Sequence, residues 1–259
     1  MKQTMIQTNI QNRVGAIFLN RPEKRNALHP DMVGELTETI QSFQENDTVK
    51  IIVIRGKGDA FCAGADLSVI KALKSATYEE NLHDSKHLAT LFEAIYHCPK
   101  PVIAGVHGHA IAGGCGLATV CDLVVVSEAA KFGYTETRIG FVPAIVAQFL
   151  IRKIGETHAR RLLLTGELIS AKEAFSIGLV SHFATAENFE EALSDLIQTL
   201  LVKTSGQALQ STKKLINKVA DSSHEEAIDY AIETNAKARS TDDCQRGISA
   251  FLNKEKIQW

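Results

Sequence analysis

Apolar and polar residues alternate along residues 5–11 and again along residues 14–20, with Asn12 and Arg13 between the two runs. A period of two with β-branched residues on both sides predicts two strands joined by a hairpin turn, and Pro22 ends the second strand. Met32, Leu36, Ile40 and Phe43 then recur at helical spacing, predicting an amphipathic helix that opens at Asp31 and runs to about Asn46. Ile51-Ile52-Val53-Ile54 is continuously apolar and closed by Gly56, the pattern of a buried strand. A helix over residues 86–97 and two further buried strands, over 101–106 and 123–126, complete a strand–helix–strand alternation. That alternation predicts an α/β core with right-handed crossovers.

From Pro143 onward the pattern becomes a succession of helices, expected over 143–153, 157–164, 171–177, 189–202, 206–219, 225–238 and 242–253. No internal repeat or low-complexity linker interrupts the chain. The reading is an α/β core over residues 1–200, followed over 201–259 by a helical region that packs on it or on a neighbouring subunit.

Composition narrows the function classes. The 259 residues are 45% hydrophobic and 22% charged, with a formal charge of −2. Neither sign forms a long run, so nucleic acid and anionic membranes are not expected partners. No apolar stretch approaches the roughly 20 residues that span a bilayer. The polar, alternating segment 1–12 does not read as a signal or transit peptide. Five cysteines without CxxC spacing fit a reduced, cytoplasmic protein.

Candidate chemistry concentrates in three segments: Phe61-Cys62-Ala63-Gly64-Ala65-Asp66-Leu67, the glycine-rich turn at Gly113-Gly114, and Phe132-Gly133-Tyr134-Thr135-Glu136 leading to Arg138 and Pro143. The glycine turn lies between a strand-like run and an apolar helical pattern over 117–120. That layout directs unpaired helix N–H groups at an anion, and glycine permits close approach. The turn lacks the Lys-Ser/Thr of a P-loop and the spacing of a dinucleotide site. No GxSxG elbow is present. His83 and His87 have the spacing of helical metal ligands but no third ligand, so a solvated helix face is the better reading and no metal is expected. Cys62 and Cys115 border the segments without a neighbouring His and read as small packing residues. Asp66 reads as a cap or orienting group for the loop after Ala65.

These segments, with Arg21-Pro22-Glu23-Lys24-Arg25-Asn26-Ala27-Leu28, residues 108–122, Thr165-Gly166 and residues 171–180, resemble the crotonase family of enoyl-CoA hydratases and isomerases. The resemblance runs in order from Arg21 to Phe251. It implies a spiral core of repeated ββα units, a C-terminal helical region that makes trimers or hexamers, and an acyl-CoA thioester as substrate. Coenzyme A is then part of the substrate, and no separate cofactor is expected. By position, the Ala65 and Gly113 N–H groups would hold the thioester oxygen as enolate charge develops on it, and Gly113 also sits where a helix dipole favours negative charge. Glu136 would move protons at the acyl chain, a role suited to a carboxylate whose burial raises its pKa. The resemblance places coenzyme A and acyl contacts at Arg25, Ala27, Leu28, Ala63, Gly64, Asp66, Leu67, Gly114, Gly116, Tyr134 and Pro143. Ser68 stands where some relatives have a phosphate-binding lysine. Lys254 is a candidate to supply that charge across a subunit boundary, against its ordinary reading as a solvated lysine.

The chain departs from the family pattern twice. Familiar hydratases carry a second glutamate at the position of Gly116, and a glycine-rich stretch where this chain has Ala144-Ile145-Val146-Ala147-Gln148-Phe149. One carboxylate leaves two reactions open. A Δ3,Δ2-enoyl-CoA isomerase needs a single base. A hydratase of a branched substrate would need His109, Tyr134 or a polar group of the substrate to assist. Gly116 together with residues 136–144 looks like bacterial hydratases placed at the 3-methylglutaconyl-CoA step of leucine breakdown. Hydrolase, dehalogenase or C–C cleavage chemistry and a non-catalytic acyl-CoA-binding role remain as further alternatives within the family.

Overall fold

The computed structural model describes residues 4–259, so the first three positions of the polar N-terminal stretch lie outside the described residues. β1 (Ile6–Gln11) and β2 (Val14–Leu19) form the expected hairpin, antiparallel from Ile6↔Leu19 to Gln11↔Val14. Asn12 and Arg13 at its tip have φ of 49° and 66°, the left-handed pair whose twist matches that of the strands. A 3-10 turn at Pro22–Lys24 leads to α1 (Pro30–Glu45), which buries Met32, Leu36, Ile40 and Phe43 as the spacing predicts.

β3 (Ile51–Gly56), β5 (Val102–Val106), β7 (Leu123–Ser127) and β10 (His182–Ala184) extend the hairpin into a sheet of order β1-β2-β3-β5-β7-β10, parallel from β2 onward. A second sheet contains β4 (Ala60–Cys62), β6 (His109–Ile111), β8 (Lys131–Gly133) and β9 (Ile169–Ser170) in that order. Strands of two or three residues carry no readable period, and the sequence reading missed all of these as well as β10.

The short strands decide the architecture. In β3-β4, β5-β6 and β7-β8, the first strand joins the large sheet and the second joins the small one. A helical segment follows each pair: α2 (Leu67–Ala72) with α3 (Tyr78–His97), then α4 (Gly113–Val120), then α5 (Ala144–Thr165). This is the repeated ββα core that the resemblance implied. The apolar runs of the large sheet are buried on both faces. Ile52, Ile54, Val102 and Val124 pack with α1, α3, α4 and α5. Ile51, Val53, Ile103 and Val125 pack under α7 (Phe189–Val202) through Phe189 and Leu193.

Several boundaries differ from the sequence reading. The helix expected over 86–97 begins at Tyr78, because Thr77 Oγ1 accepts the Glu80 N–H at 3.2 Å while Glu80 Oε2 accepts the Thr77 N–H at 2.7 Å. This capping box satisfies two donors that the helix start leaves unpaired. The pattern at 117–120 is the second half of α4. The helices expected over 143–153 and 157–164 run end to end in α5, broken at Gly155 with φ 73° and ψ 166°. Of the two helix histidines His83 is exposed, whereas His87 is half-buried and its Nε2 lies 2.9 Å from the Pro30 carbonyl, tying α3 to the start of α1.

The last helices are α6 (Ala171–Ser176), α8 (Gly206–Ala220), α9 (His224–Ala238) and α10 (Asp242–Leu252). Among the described residues no helix is long and apolar enough to cross a membrane. Lys213 pins α8 to the core. Its Nζ donates to Asp122 Oδ2 at 2.7 Å, Ile95 O at 3.1 Å and Lys100 O at 3.3 Å, and the side chain is buried. Asp122 Oδ2 also accepts the Val102 N–H at 2.7 Å, so one carboxylate joins α8 to the start of β5. Replacing Lys213 with Met should take the ammonium donor from the Ile95 and Lys100 carbonyls and leave the Asp122 carboxylate with the Val102 N–H but without its charge partner. The expected loss is about 3 kcal/mol of unfolding free energy, read by chemical denaturation.

Candidate active site

Three backbone segments meet at the C-terminal ends of β4 and β6. β4 pairs with β6 through Ala60↔His109 and Cys62↔Ala110, and β6 pairs with β8 through Ala110↔Phe132 and Ile111↔Gly133. The chain leaves β4 into Ala63-Gly64-Ala65, leaves β6 into α4, and leaves β8 into a 3-10 turn at Thr135–Ile139 that carries Glu136. The sheet register thus gathers the three segments singled out in the sequence.

Ala65 is held by an isolated parallel bridge to Leu28. The bonds of that bridge belong to its neighbours: Leu28 N donates to Gly64 O at 2.7 Å and Asp66 N donates to Leu28 O at 3.0 Å. The Ala65 N–H is therefore turned away from Leu28, as the alternating direction of an extended chain requires. A Cβ built on Gly64, whose φ is +89°, would lie 3.4 Å from Gly113 N, which places this loop against the first turn of α4. Gly113, as the first residue of α4, has an N–H with no partner inside the helix.

Close packing here leaves no room for side chains. A Cβ on Gly114 would stand 2.2 Å from the Cys62 carbonyl oxygen. Ala112, which precedes α4, has φ 50° and ψ −126°, a conformation costing on the order of 1–3 kcal/mol for a residue with a Cβ. It is held there by its N–H, which donates to Gly133 O at 2.7 Å, and by its carbonyl, which accepts Gly116 N–H at 3.0 Å. The sequence reading passed over Ala112 because alanine carries no mark of unusual backbone.

Glu136 is half-buried, and its Oε2 has no hydrogen-bond partner among the described residues. Burial pushes its carboxyl above the ordinary range, partly offset by a hydrogen bond from its own backbone N–H. Its charge in turn helps raise the Cys115 thiol and the Tyr134 hydroxyl, which places it beside the first turn of α4. Burial of this kind favours the protonated form and makes the carboxylate a stronger base than an exposed glutamate.

The loop before α2 is braced from below. Asp66 Oδ1 accepts the Ser68 N–H at 2.8 Å and the Ser68 hydroxyl at 2.6 Å, and Asp66 Oδ2 pairs with Arg21 at 2.7 Å. The Ser68 hydroxyl bond, joined by the Ser68 N–H and the Arg21 guanidinium, holds the Asp66 carboxyl well below the usual range despite its burial. Fully buried Asn26, read in the sequence only as part of the Arg25–Leu28 motif, clamps three stretches of chain with its side chain. Its Nδ2 donates to Lys57 O and Ala60 O at 2.9 and 2.8 Å, and its Oδ1 accepts the Arg21 N–H at 2.9 Å.

Arg25 O accepts the Ala63 N–H at 3.0 Å, and the Arg25 side chain is exposed. Ala27 and Leu28 are buried, and a Cβ on Gly113 would lie 3.4 Å from Leu28 Cδ1. Leu67 is exposed at the start of α2, and Pro143 is buried at the start of α5. Tyr134 lies in the core rather than on the cleft surface: it has no accessible area, and its hydroxyl is 2.6 Å from Thr119 Oγ1. Lys254 stands apart, exposed beyond α10, which packs on α8. Burial pushes the Cys62 and Cys115 thiols up to about 12, so neither supplies a thiolate nucleophile near neutrality. Among the described residues no group of three His, Cys, Asp or Glu side chains is placed to hold a metal ion.

The geometry has close counterparts. A family model described as enoyl-CoA hydratase/isomerase matches residues 9–259. A Thermus thermophilus protein provisionally named an enoyl-CoA hydratase is 40% identical over 94% of this chain and 96% of its own. The mitochondrial enoyl-CoA hydratase of Pongo abelii is 34% identical over 96% of this chain and 84% of its own. The crystal structure of an enoyl-CoA hydratase from Mycobacterium smegmatis superposes with a TM-score of 0.94, at 29% identity and 99% coverage of both chains. With the model spanning nearly the whole chain and relatives above 30% identity along it, the protein belongs to the crotonase family of enoyl-CoA hydratases and isomerases, and it is an enzyme of that family.

Proposed function

We propose that the protein hydrates a 2-enoyl-CoA thioester whose acyl chain carries its own polar group, with 3-methylglutaconyl-CoA as the leading candidate. The observation that carries this reading is the half-buried Glu136 carboxylate beside the first turn of α4, its Oε2 without a hydrogen-bond partner among the described residues. The Ala65 and Gly113 N–H groups hold the thioester oxygen. Negative charge builds there as the double bond is attacked, and fixed donors lower the barrier because they need no reorganisation. Glu136 takes a proton from water as the oxygen adds to C3, then returns it to C2. Water, acyl chain and enzyme balance with one carboxylate, provided a group of the substrate helps hold the water.

The enclosed position of Gly116 favours a second reading, a Δ3,Δ2-enoyl-CoA isomerase. Glu136 then removes a proton from C2 and delivers it to C4, and no water enters. Mass spectrometry of 2-enoyl-, 3-enoyl- and 3-methylglutaconyl-CoA in 18O-labelled water separates the two. Hydration places heavy oxygen in the 3-methylglutaconyl product, whereas isomerisation converts the 3-enoyl ester to the 2-enoyl ester without label. Silence on all three esters would sink both.

Glu136→Gln should lower turnover by about 100-fold or more while leaving thioester binding intact. The same variant has a stability signature. A carboxyl raised by burial binds its proton more tightly in the folded state, so ionised Glu136 costs stability at neutral pH. That cost disappears as pH falls below the ordinary glutamate value of 4.5. The Gln variant should therefore melt higher than wild type at pH 7, with the difference closing toward pH 4 in a thermal scan.

The region 201–259 acts as the oligomerisation region of a trimer or hexamer. Supporting this, Ile216, Ile232, Phe251 and Leu252 are exposed on α8, α9 and α10, and an apolar groove of about 420 Å³ is lined by Ile248, Phe251, Leu252 and Trp259. Native mass spectrometry should find three or six copies of the 28.3 kDa chain. Phe251→Glu with Leu252→Glu should shift the population to monomer.

A further inference from the structure

The two departures from the family pattern, Gly116 and the residues after Pro143, touch each other in the fold. A Cβ built on Gly116 would lie 2.2 Å from Val146 Cγ1, 3.1 Å from Val146 Cβ and 3.0 Å from Phe92 Cε1. Gly116, Val146 and Phe92 are all buried. Phe92 is itself packed against Phe149, with ring centroids 5.8 Å apart, so α3, α4 and α5 meet around position 116. Position 116 therefore accepts no side chain, and the atom that closes it belongs to Val146. Real Cβ atoms do not approach a methyl carbon at that distance, and a packed core yields to an added carbon only by moving its neighbours off their preferred rotamers.

We propose that Val146 is a specificity-determining residue: its methyl group occupies the space into which a side chain at position 116 would project, so the site operates with Glu136 as its sole carboxylate. This rests on Glu136 as the acid–base group. An apolar wall at this place offers nothing to hold a second proton or to orient water beside an unbranched acyl chain. The site then selects enoyl thioesters that bring their own polar group to the reacting carbons, and it disfavours short unbranched ones. Gly116 and Val146 act as one unit, so changing either alone does not convert the site.

The test is a double-mutant cycle with two readouts. For packing, Gly116→Ala should lower the melting temperature by roughly 5 °C, and adding Val146→Gly should abolish most of that further loss relative to Val146→Gly alone. For chemistry, Gly116→Glu combined with Val146→Gly should hydrate 2-butenoyl-CoA about 100-fold faster than Val146→Gly alone, the gain expected from one added positioned carboxylate. Gly116→Glu in the wild-type background should fail to fold or fail to gain. Additive melting losses would overturn the proposal, because Val146 would then not fill position 116. A folded double variant, verified by circular dichroism, that gains no hydration of 2-butenoyl-CoA would also overturn it. If the wild type turns over no enoyl ester while the double variant gains hydration, the proposed function fails and the role of Val146 stands.

Discussion

The site depends on how closely α4 approaches the end of β4. The Cys62 carbonyl sits where a Cβ on Gly114 would collide with it, so the helix reaches the loop only because that residue has no side chain. The approach brings the Ala65 loop against the first turn of α4, whose N–H groups have no partners inside the helix. A weaker constraint would let the two backbones separate, and directed donors lose most of their value when they are free to move. Ala112 shows how firmly the arrangement is imposed. It keeps a Cβ in a conformation that disfavours one, held by hydrogen bonds to β8 and within α4.

The electrostatics follow from the same packing. Glu136 rides on a short turn fixed to β8, which is bonded to the residue before α4. Its burial comes from the surrounding chain and not from an ion pair, so its carboxyl rises while that of Asp66, only a loop away from the same helix, falls. The two acids divide their roles by environment: one has an oxygen without a partner among the described residues and a carboxyl raised by burial, and the other is locked into bracing the loop.

Beneath the site, lysines do work that apolar residues cannot. Lys213, Lys153 and Lys100 place their ammonium groups against backbone carbonyls at the ends of helices and strands. A buried carbonyl left unpaired would cost more than desolvating a lysine stem. Of the three, Lys213 ties α8 to the ββα core. The exposed apolar residues of α8 are thereby presented on a fixed scaffold.

The sequence by itself determined the long elements and the chemical inventory. Periodicity in α1 and in the apolar runs of β3, β5 and β7 is a direct record of which faces are buried, and α7 was read at its observed boundaries because its pattern extends over several turns. Glu136 and the glycines at 113 and 114 were visible as residue types in an ordered set of motifs. The structure alone decided what joins them. β4, β6 and β8 are too short to show a period, yet their register assembles the site. Asn26, Ala112 and Val146 have ordinary side chains whose importance lies in what stands opposite them. A local pattern reports burial and backbone preference, because these act within a few residues. Contacts between Gly116 and Val146, or Gly114 and Cys62, exist only once distant segments have packed.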